Sequence, residues 1–339
     1  MDNWFRCVHA QAKDIVTGSS TRIRPRYLQK MSATVRYKID ETREALNKAL
    51  DDPIFFDIRR VFVDGKSSAD VLRSFISLRN GSSRSLAITS VLGSELTRAL
   101  ESGAALVQRY LLMQTAARSV QQVAQLTVHS AVKRLICDEF QFFCRPAARD
   151  LSLFRLDSYS FLSFCKMALL KRFPAGQYHW ELSGFPRSCL FKLPPGSMPR
   201  VAYFIATQMK GFAPCIVPHM PPRSIMMIER ESDKAWYRMA RSVEADSKIR
   251  GLVAFSWFHS PDTFKVSPHL SFINKPFVES GAVITTMGEA DKNSGFLTGS
   301  TYRRKLYESG EFRPTQGVVL WSRKQMIRWA HSHPELEDS

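Results

Sequence analysis

The chain has 339 residues, and its 48 lysines and arginines against 31 aspartates and glutamates give a formal net charge of +17. Hydrophobic residues make up 44% and charged residues 23%, a composition typical of a folded globular protein. These values exclude a collagen-like, coiled-coil or disulfide-scaffold protein, and the length predicts about two domains.

The positive charge is mostly arginine, with 31 arginines against 17 lysines. Because the guanidinium fork pairs with phosphate and stacks on bases, this bias favours a phosphate-bearing partner. A nucleic acid, a CoA-type cofactor and an anionic membrane surface would each account for the charge, as would a basic protein with no polyanionic partner.

Three absences in the sequence bear on location and metal binding. The six cysteines form no CxxC pair, the N-terminal segment has no apolar signal core, and no apolar run is long enough to cross a membrane. We therefore expect a cytoplasmic protein with reduced thiols, without a membrane span and without a metal site.

Residues 1–32 are predicted to form a basic arm. Arg22, Arg24 and Arg26 alternate around a proline and have no apolar face. Such an arm can follow a phosphate backbone, although a solvated terminus has the same composition. The three arginines are the candidate nucleic-acid contacts.

Residues 33–174 are predicted to form a helical domain, because apolar residues recur at spacings of three and four. Asp52 before Pro53 indicates the start of a second, short helix, and Ser68 the start of a third. The longest periodic signal covers residues 85–143 and predicts two or three antiparallel helices. A further helix is predicted over residues 157–172.

Residues 175–334 are predicted to form an α/β domain, and residues 335–339 an acidic tail. Short β-rich runs alternate with helical patterns here, which indicates a mixed or partly parallel sheet flanked by helices. The fold class is therefore α/β, with α+β as the alternative. The predicted strands cover residues 201–206, 215–217, 224–229, 251–258, 281–287 and 317–321. The predicted helices cover residues 233–243, 300–309 and 324–331.

The best phosphate-binding candidate follows the fifth predicted strand. Gly295 and Gly299 allow a close backbone approach to an anion, and Ser300 is placed to cap the next helix. Arg303 and Arg304 on that helix are placed to clamp a phosphate. An ordinary strand-to-helix turn with a solvated basic helix has the same pattern.

Histidines supply the candidate acid–base groups. His219 and His259 each follow a predicted strand, where ligand sites of α/β proteins usually lie, and His269 comes ten residues later. At least one of them is a candidate general base. Loop histidines that only hydrogen-bond the backbone are the alternative.

The segment from the glycine-bearing loop to Phe312 resembles the GNAT acyltransferase superfamily. The resemblance covers at most residues 220–330. It lies in the loop 293–300, in the basic helix after it, and in Leu306 and Tyr307 followed by Gly310 and Phe312. It implies acyl transfer in which backbone N–H groups polarise a carbonyl and a base deprotonates an amine. Members that take the acyl group from aminoacyl-tRNA lack the pyrophosphate loop and suit a basic surface.

Two functions follow from the sequence. The first is an acyl- or aminoacyl-transferase that joins an amine or hydroxylamine acceptor to a donor, either aminoacyl-tRNA or acyl-CoA. Its base would be His259 or Glu311, with His269 and His219 as further candidates, and no other cofactor is expected. The second is a non-enzymatic basic protein that binds nucleic acid through the arm and the helical half.

Overall fold

A computed structural model describes residues 32–56, 58, 68–79, 105–145, 151–154, 158–221, 226–291, 295–297 and 300–337. These residues divide into two compact units. The first takes the described residues up to His179 together with those of 220–226. The second takes Trp180–His219 and the described residues from Met227 onward.

The first unit is helical. Its elements are α1 (Ala33–Leu50), α2 (Ser68–Arg79), α3 (Ala105–Ser119), α4 (Ser130–Cys144), α5 (Tyr159–Ala168) and the short strand β1 (Arg172–Pro174). Helix α1 begins where Ser32 accepts a hydrogen bond from the Val35 N–H, and it buries Val35, Ile39 and Leu46. Asp52 caps a 3₁₀ turn over Pro53–Phe55, as its pattern predicts.

The core of the first unit is rich in phenylalanine. Phe142 and Phe143 of α4 both contact Phe164 of α5, with ring centroids 5.8 and 5.3 Å apart. The buried Arg109 donates from Nε to the Phe143 carbonyl at 2.6 Å, which ties α3 to α4. Aromatic packing and one buried cation therefore join the central helices of this unit.

Helices and strands alternate in the second unit. The strands are β2 (His179–Ser183), which begins one residue before the division between the units, β3 (Cys215–His219), β4 (Gly251–Ser256), β5 (Val283–Glu289) and β6 (Thr315–Ser322). The helices are α6 (Met198–Thr207), α7 (Glu229–Ala245), α8 (Pro261–Val266), α9 (Lys275–Glu279), α10 (Thr301–Glu308) and α11 (Arg323–His331).

Within the second unit the sheet is mixed, with strand order β2-β3-β4-β6-β5. Strand β3 runs parallel to β4, whereas β6 runs antiparallel to both β4 and β5. Helices pack on this sheet, so the α/β fold class is confirmed. A Cβ at Gly251 would lie 2.2 Å from the Trp321 carbonyl oxygen, so the β4–β6 pairing requires glycine there.

The two faces of the sheet differ in character. On the aliphatic face, Cys215 and Val318 pack with residues of α6 and of the 3₁₀ helix Arg187–Lys192. On the aromatic face, Phe277 of α9 meets Trp321 of β6 edge-on at 5.1 Å, and Trp321 meets Trp329 of α11 at 5.5 Å. Alternation along β6 separates the two sets of side chains.

Two predicted strands are wrong. Residues 201–206 belong to helix α6, in which Val201, Phe204 and Ile205 are buried at helical spacing. Residues 226–228 form no strand, and α7 begins at Glu229, with acidic side chains in its first turn. In both cases a short apolar run satisfied the strand pattern, and packing on the sheet selected a helix or a loop.

In the part of the chain that the structure describes, no helix is both long enough and apolar enough to cross a membrane.

Candidate functional site

The candidate site lies at one edge of the sheet. Because β4 and β5 are both antiparallel to β6, they run parallel to each other, and β3 runs parallel to β4. The carboxyl ends of β3, β4 and β5 therefore meet at the edge where β6 begins. Ligands of α/β proteins bind outside the carboxyl ends of strands, so this edge is where the site is expected.

A histidine and a carboxylate meet at this edge. His219 is the last residue of β3, and its Nε2 lies 2.9 Å from Oε1 of Glu181 on β2. Only 11% of the histidine side chain and 9% of the glutamate side chain are exposed. The distance is that of an ion pair when the imidazole is protonated. The two groups are not aligned for a strong hydrogen bond. A largely buried histidine next to a carboxylate is a common acid–base arrangement.

His259 lies at the same edge but is enclosed. Ser256, at the end of β4, caps the 3₁₀ turn that carries His259 inward. Its Nδ1 lies 2.7 Å from Oδ1 of Asn274, and its ring meets Phe277 edge-on at 5.5 Å. Burial lowers the pKa of His259 to about 4. The imidazole is therefore neutral and a weak base near neutral pH, which suits a structural role better than catalysis.

The two histidines lie on opposite faces of the sheet. Along β3, Cys215, Val217 and His219 are each two residues apart, so their side chains share one face of the sheet, the aliphatic face that contains Cys215. His259 contacts Phe277, which belongs to the aromatic face. The sheet therefore separates them.

The turn after His259 presses against β6. Ser260 Oγ lies 2.6 Å from Thr315 Oγ1, which donates to Asp262 Oδ2 at 3.4 Å. A Cβ at Gly317 would lie 2.4 Å from the carbonyl carbon of His259. Only glycine at position 317 leaves room for this turn, so the sequence of β6 fixes the position of the His259 segment.

The glycine-bearing loop and the helix after it are held by Arg303. Ser300 caps α10 by accepting from the Arg303 N–H, and the Arg303 guanidinium points inward. Its Nε donates to the Phe296 carbonyl at 2.9 Å and its Nη1 to Ser267 Oγ at 3.1 Å, while the group stacks 5.0 Å from the Trp257 ring centroid. Burial lowers the pKa of Arg303. Through these contacts, Arg303 joins the segments that contain Trp257, Ser267 and Phe296.

Arg304 is placed differently. It is exposed, and its Nη2 donates to the Leu297 carbonyl at 3.3 Å. Gly295 has φ +90, a backbone conformation that favours glycine, and Gly299 lies outside the described residues. Of the two arginines predicted to clamp a phosphate, Arg304 is therefore the one whose side chain is exposed.

Of the other predicted site residues, His269 and Glu311 are described and make no contact with the histidines at this edge. His269 is exposed on the 3₁₀ helix Pro268–Asn274. Glu311 is exposed and accepts from Ser309 Oγ at 2.7 Å. The arm residues Arg22, Arg24 and Arg26 lie outside the described residues.

The sequence missed the partners that position these side chains. Glu181 had one signal, its position directly after the aromatic segment Tyr178-His179-Trp180, but nothing in the sequence paired it with His219. Asn274 had no local signal. Both partners depend on contacts between segments that are 15 to 38 residues apart, since Glu181 precedes His219 by 38 and His259 precedes Asn274 by 15.

Two other kinds of chemistry find little support in the described residues. Burial raises the pKa of the Cys215 thiol on β3 to about 12, so this thiol is not a thiolate nucleophile near neutral pH. Within the described ranges, no three histidine, cysteine, aspartate or glutamate side chains are grouped to hold a metal ion.

Comparison with known proteins adds no family. No protein-family model, curated protein or solved structure matches the chain. Function must therefore be argued from the site itself.

Proposed function

We propose that the chain is an acyl- or aminoacyl-transferase in which His219, paired with Glu181, is the general base. One observation carries the proposal: a histidine and a carboxylate, both largely shielded from water, lie 2.9 Å apart at the carboxyl edge of the sheet. The resemblance of residues 293–312 to the GNAT superfamily supports the choice of acyl transfer over other acid–base reactions.

In the proposed reaction, the imidazole of His219 takes a proton from an amine or hydroxylamine acceptor. The nitrogen lone pair attacks the carbonyl carbon of the donor, and the bond from that carbon to the leaving group breaks. Glu181 stabilises the imidazolium that forms, since an adjacent carboxylate favours the charged histidine. The proton then passes to the leaving thiolate of CoA or the leaving ribose oxygen of tRNA.

The donor phosphate is assigned to Arg304. This side chain is exposed beside the loop that contains Gly295, whereas the guanidinium of Arg303 is held by protein contacts. His259 and Arg303 then have a structural role and hold the loops at this edge in place without contacting the substrate. The proposal therefore places the base at His219 instead of His259 or Glu311.

The test is donor turnover by the full chain and by His219→Gln. Acetyl-CoA and a mixed pool of aminoacyl-tRNA are each offered with hydroxylamine as acceptor, and release of free thiol or formation of the hydroxamate is measured. A general base contributes roughly 10²- to 10⁴-fold, so we expect a loss of that size in His219→Gln.

His269→Gln is the matched control, since it removes an exposed histidine of the same unit. It should turn over donor at the wild-type rate. No turnover of either donor by the wild-type chain, or equal rates in wild type and His219→Gln, would refute the proposed activity.

A further inference from the structure

The segment from Leu182 to Ile228 contains no acidic residue. Across these 47 positions the chain has five basic residues, whereas the whole chain has 31 acidic residues in 339. Four of the five basic side chains are exposed: Arg187, Lys192, Arg200 and Lys210. The segment therefore presents positive charge that its own carboxylates do not offset.

The part of this segment from Arg187 to Thr207 packs on the aliphatic face of the sheet and turns aromatic side chains outward. The 3₁₀ helix Arg187–Lys192 and helix α6 bury Cys189, Val201 and Phe204 in the apolar core. On the outer side, Phe191 is 82% exposed and Tyr203 is 69% exposed. Most of each ring is therefore accessible to a partner.

The exposed rings alternate with the basic side chains. Arg200 and Tyr203 are three residues apart on α6 and so share one side of the helix, and Lys210 follows the end of the helix. Phe191 precedes Lys192 at the end of the 3₁₀ helix. We call these five residues, together with Arg187, the basic aromatic surface.

We infer that the basic aromatic surface binds single-stranded nucleic acid. Exposed rings stack on bases whatever their sequence, and interleaved cations follow the phosphate backbone. Arginine also stacks on bases, and the Arg187 guanidinium already stacks on Phe212, 5.4 Å from its ring centroid. None of these residues belongs to the acid–base site, so the inference does not depend on the proposed activity.

A lipid surface is the less suitable partner for this patch. Helix α6 has ten residues and contains Pro199, and its exposed side carries Arg200 and Thr207 next to Tyr203. Membrane-surface helices need a continuous apolar face that enters the acyl boundary. Two separated rings among polar residues do not form such a face.

The experiment measures fluorescence anisotropy of a labelled RNA of mixed sequence, about 16 nucleotides long, with the full chain. Affinity should fall as salt rises from about 0.05 to about 0.2 M. Phe191→Ala and Tyr203→Ala should each weaken binding by roughly five- to a hundredfold, because each removes one stacked base. The double variant Lys192→Gln/Arg200→Gln should reduce the salt slope by about 1.4, since two phosphate contacts are lost.

Matched controls separate this surface from the general effect of charge. Tyr302→Ala removes an exposed tyrosine on α10, and Lys324→Gln/Arg328→Gln removes two exposed charges on α11. We expect both controls to bind RNA within twofold of wild type, and circular dichroism to show every variant folded.

Three results would overturn the inference. They are no RNA binding by the wild-type chain, equal effects of the surface and control variants, and loss of binding to phosphatidylglycerol vesicles in Phe191→Ala and Tyr203→Ala while RNA affinity is retained. Binding that resides only in the arginine arm appears as the second of these results.

Discussion

At the scale of single residues, His259 links folding to pH. Its pKa is lowered to about 4 in the folded chain because the imidazole is fully buried. Between pH 6.5 and pH 4 the unfolded chain binds a proton that the folded chain does not, so stability falls as pH falls through this window. The expected loss from this one group reaches about 3 kcal/mol at the lower end.

The measurement is urea unfolding of wild type and His259→Gln at about pH 7 and about pH 4.5. Other groups also weaken the fold in acid, so the difference between the two proteins isolates His259. The wild-type chain should lose more stability than the variant between these pH values. Parallel losses would show that the folded chain protonates His259 as readily as the unfolded chain.

The positions of the acid–base candidates could be predicted from the sequence, but their environments could not. His219 ends β3 and His259 follows β4, so both lie at the carboxyl ends of strands, where the pattern placed them. Their environments differ because His219 contacts Glu181 and His259 contacts Asn274, and both contacts form only in the folded chain. In the same way, the helical pattern did not distinguish the enclosed Arg303 from the exposed Arg304 beside it.

At the scale of elements, Gly317 lets strand β6 accept the turn after β4. A methyl group at this position would meet the backbone of His259 and Ser260 at 2.4 to 2.5 Å, and neither strand nor turn can yield cheaply. We expect Gly317→Ala to lower the free energy of unfolding by about 1 to 3 kcal/mol, the usual range for overpacking.

Gly196→Ala is the control, because a Cβ there meets no atom within 4 Å. Urea unfolding of both variants should show a clear loss for Gly317→Ala and almost none for Gly196→Ala. Equal stability of the two variants would mean that the turn is not pressed against β6.

The type of an element could be predicted from a long pattern. The prediction failed where the apolar pattern was short. The helices 233–243, 300–309 and 324–331 correspond to α7, α10 and α11, because acidic residues mark the start of α7 and serine caps mark the starts of α10 and α11. Residues 201–206 form part of α6 although they resemble a strand, since six apolar residues satisfy both periods. The turns after β4 and around α8 and α9 were not predicted.

At the scale of the molecule, the strand order decides which residues can act together. The sequence indicates an α/β half but not that β6 inserts between β4 and β5. This insertion brings the carboxyl ends of β3, β4 and β5 to one edge, and the two faces of the sheet then separate His219 from His259. The basic aromatic surface likewise depends on which side of α6 packs inward.

The central claim is that His219 and Glu181 work as one acid–base unit, and a double-mutant cycle on acyl transfer tests it most directly. The rate of transfer to hydroxylamine is compared for wild type, His219→Gln, Glu181→Gln and the double variant, with melting temperatures to show that each is folded. If the pair is a unit, the double variant loses no more activity than His219→Gln alone, because Glu181 acts only through the imidazole. Losses that add independently in the double variant would contradict the account.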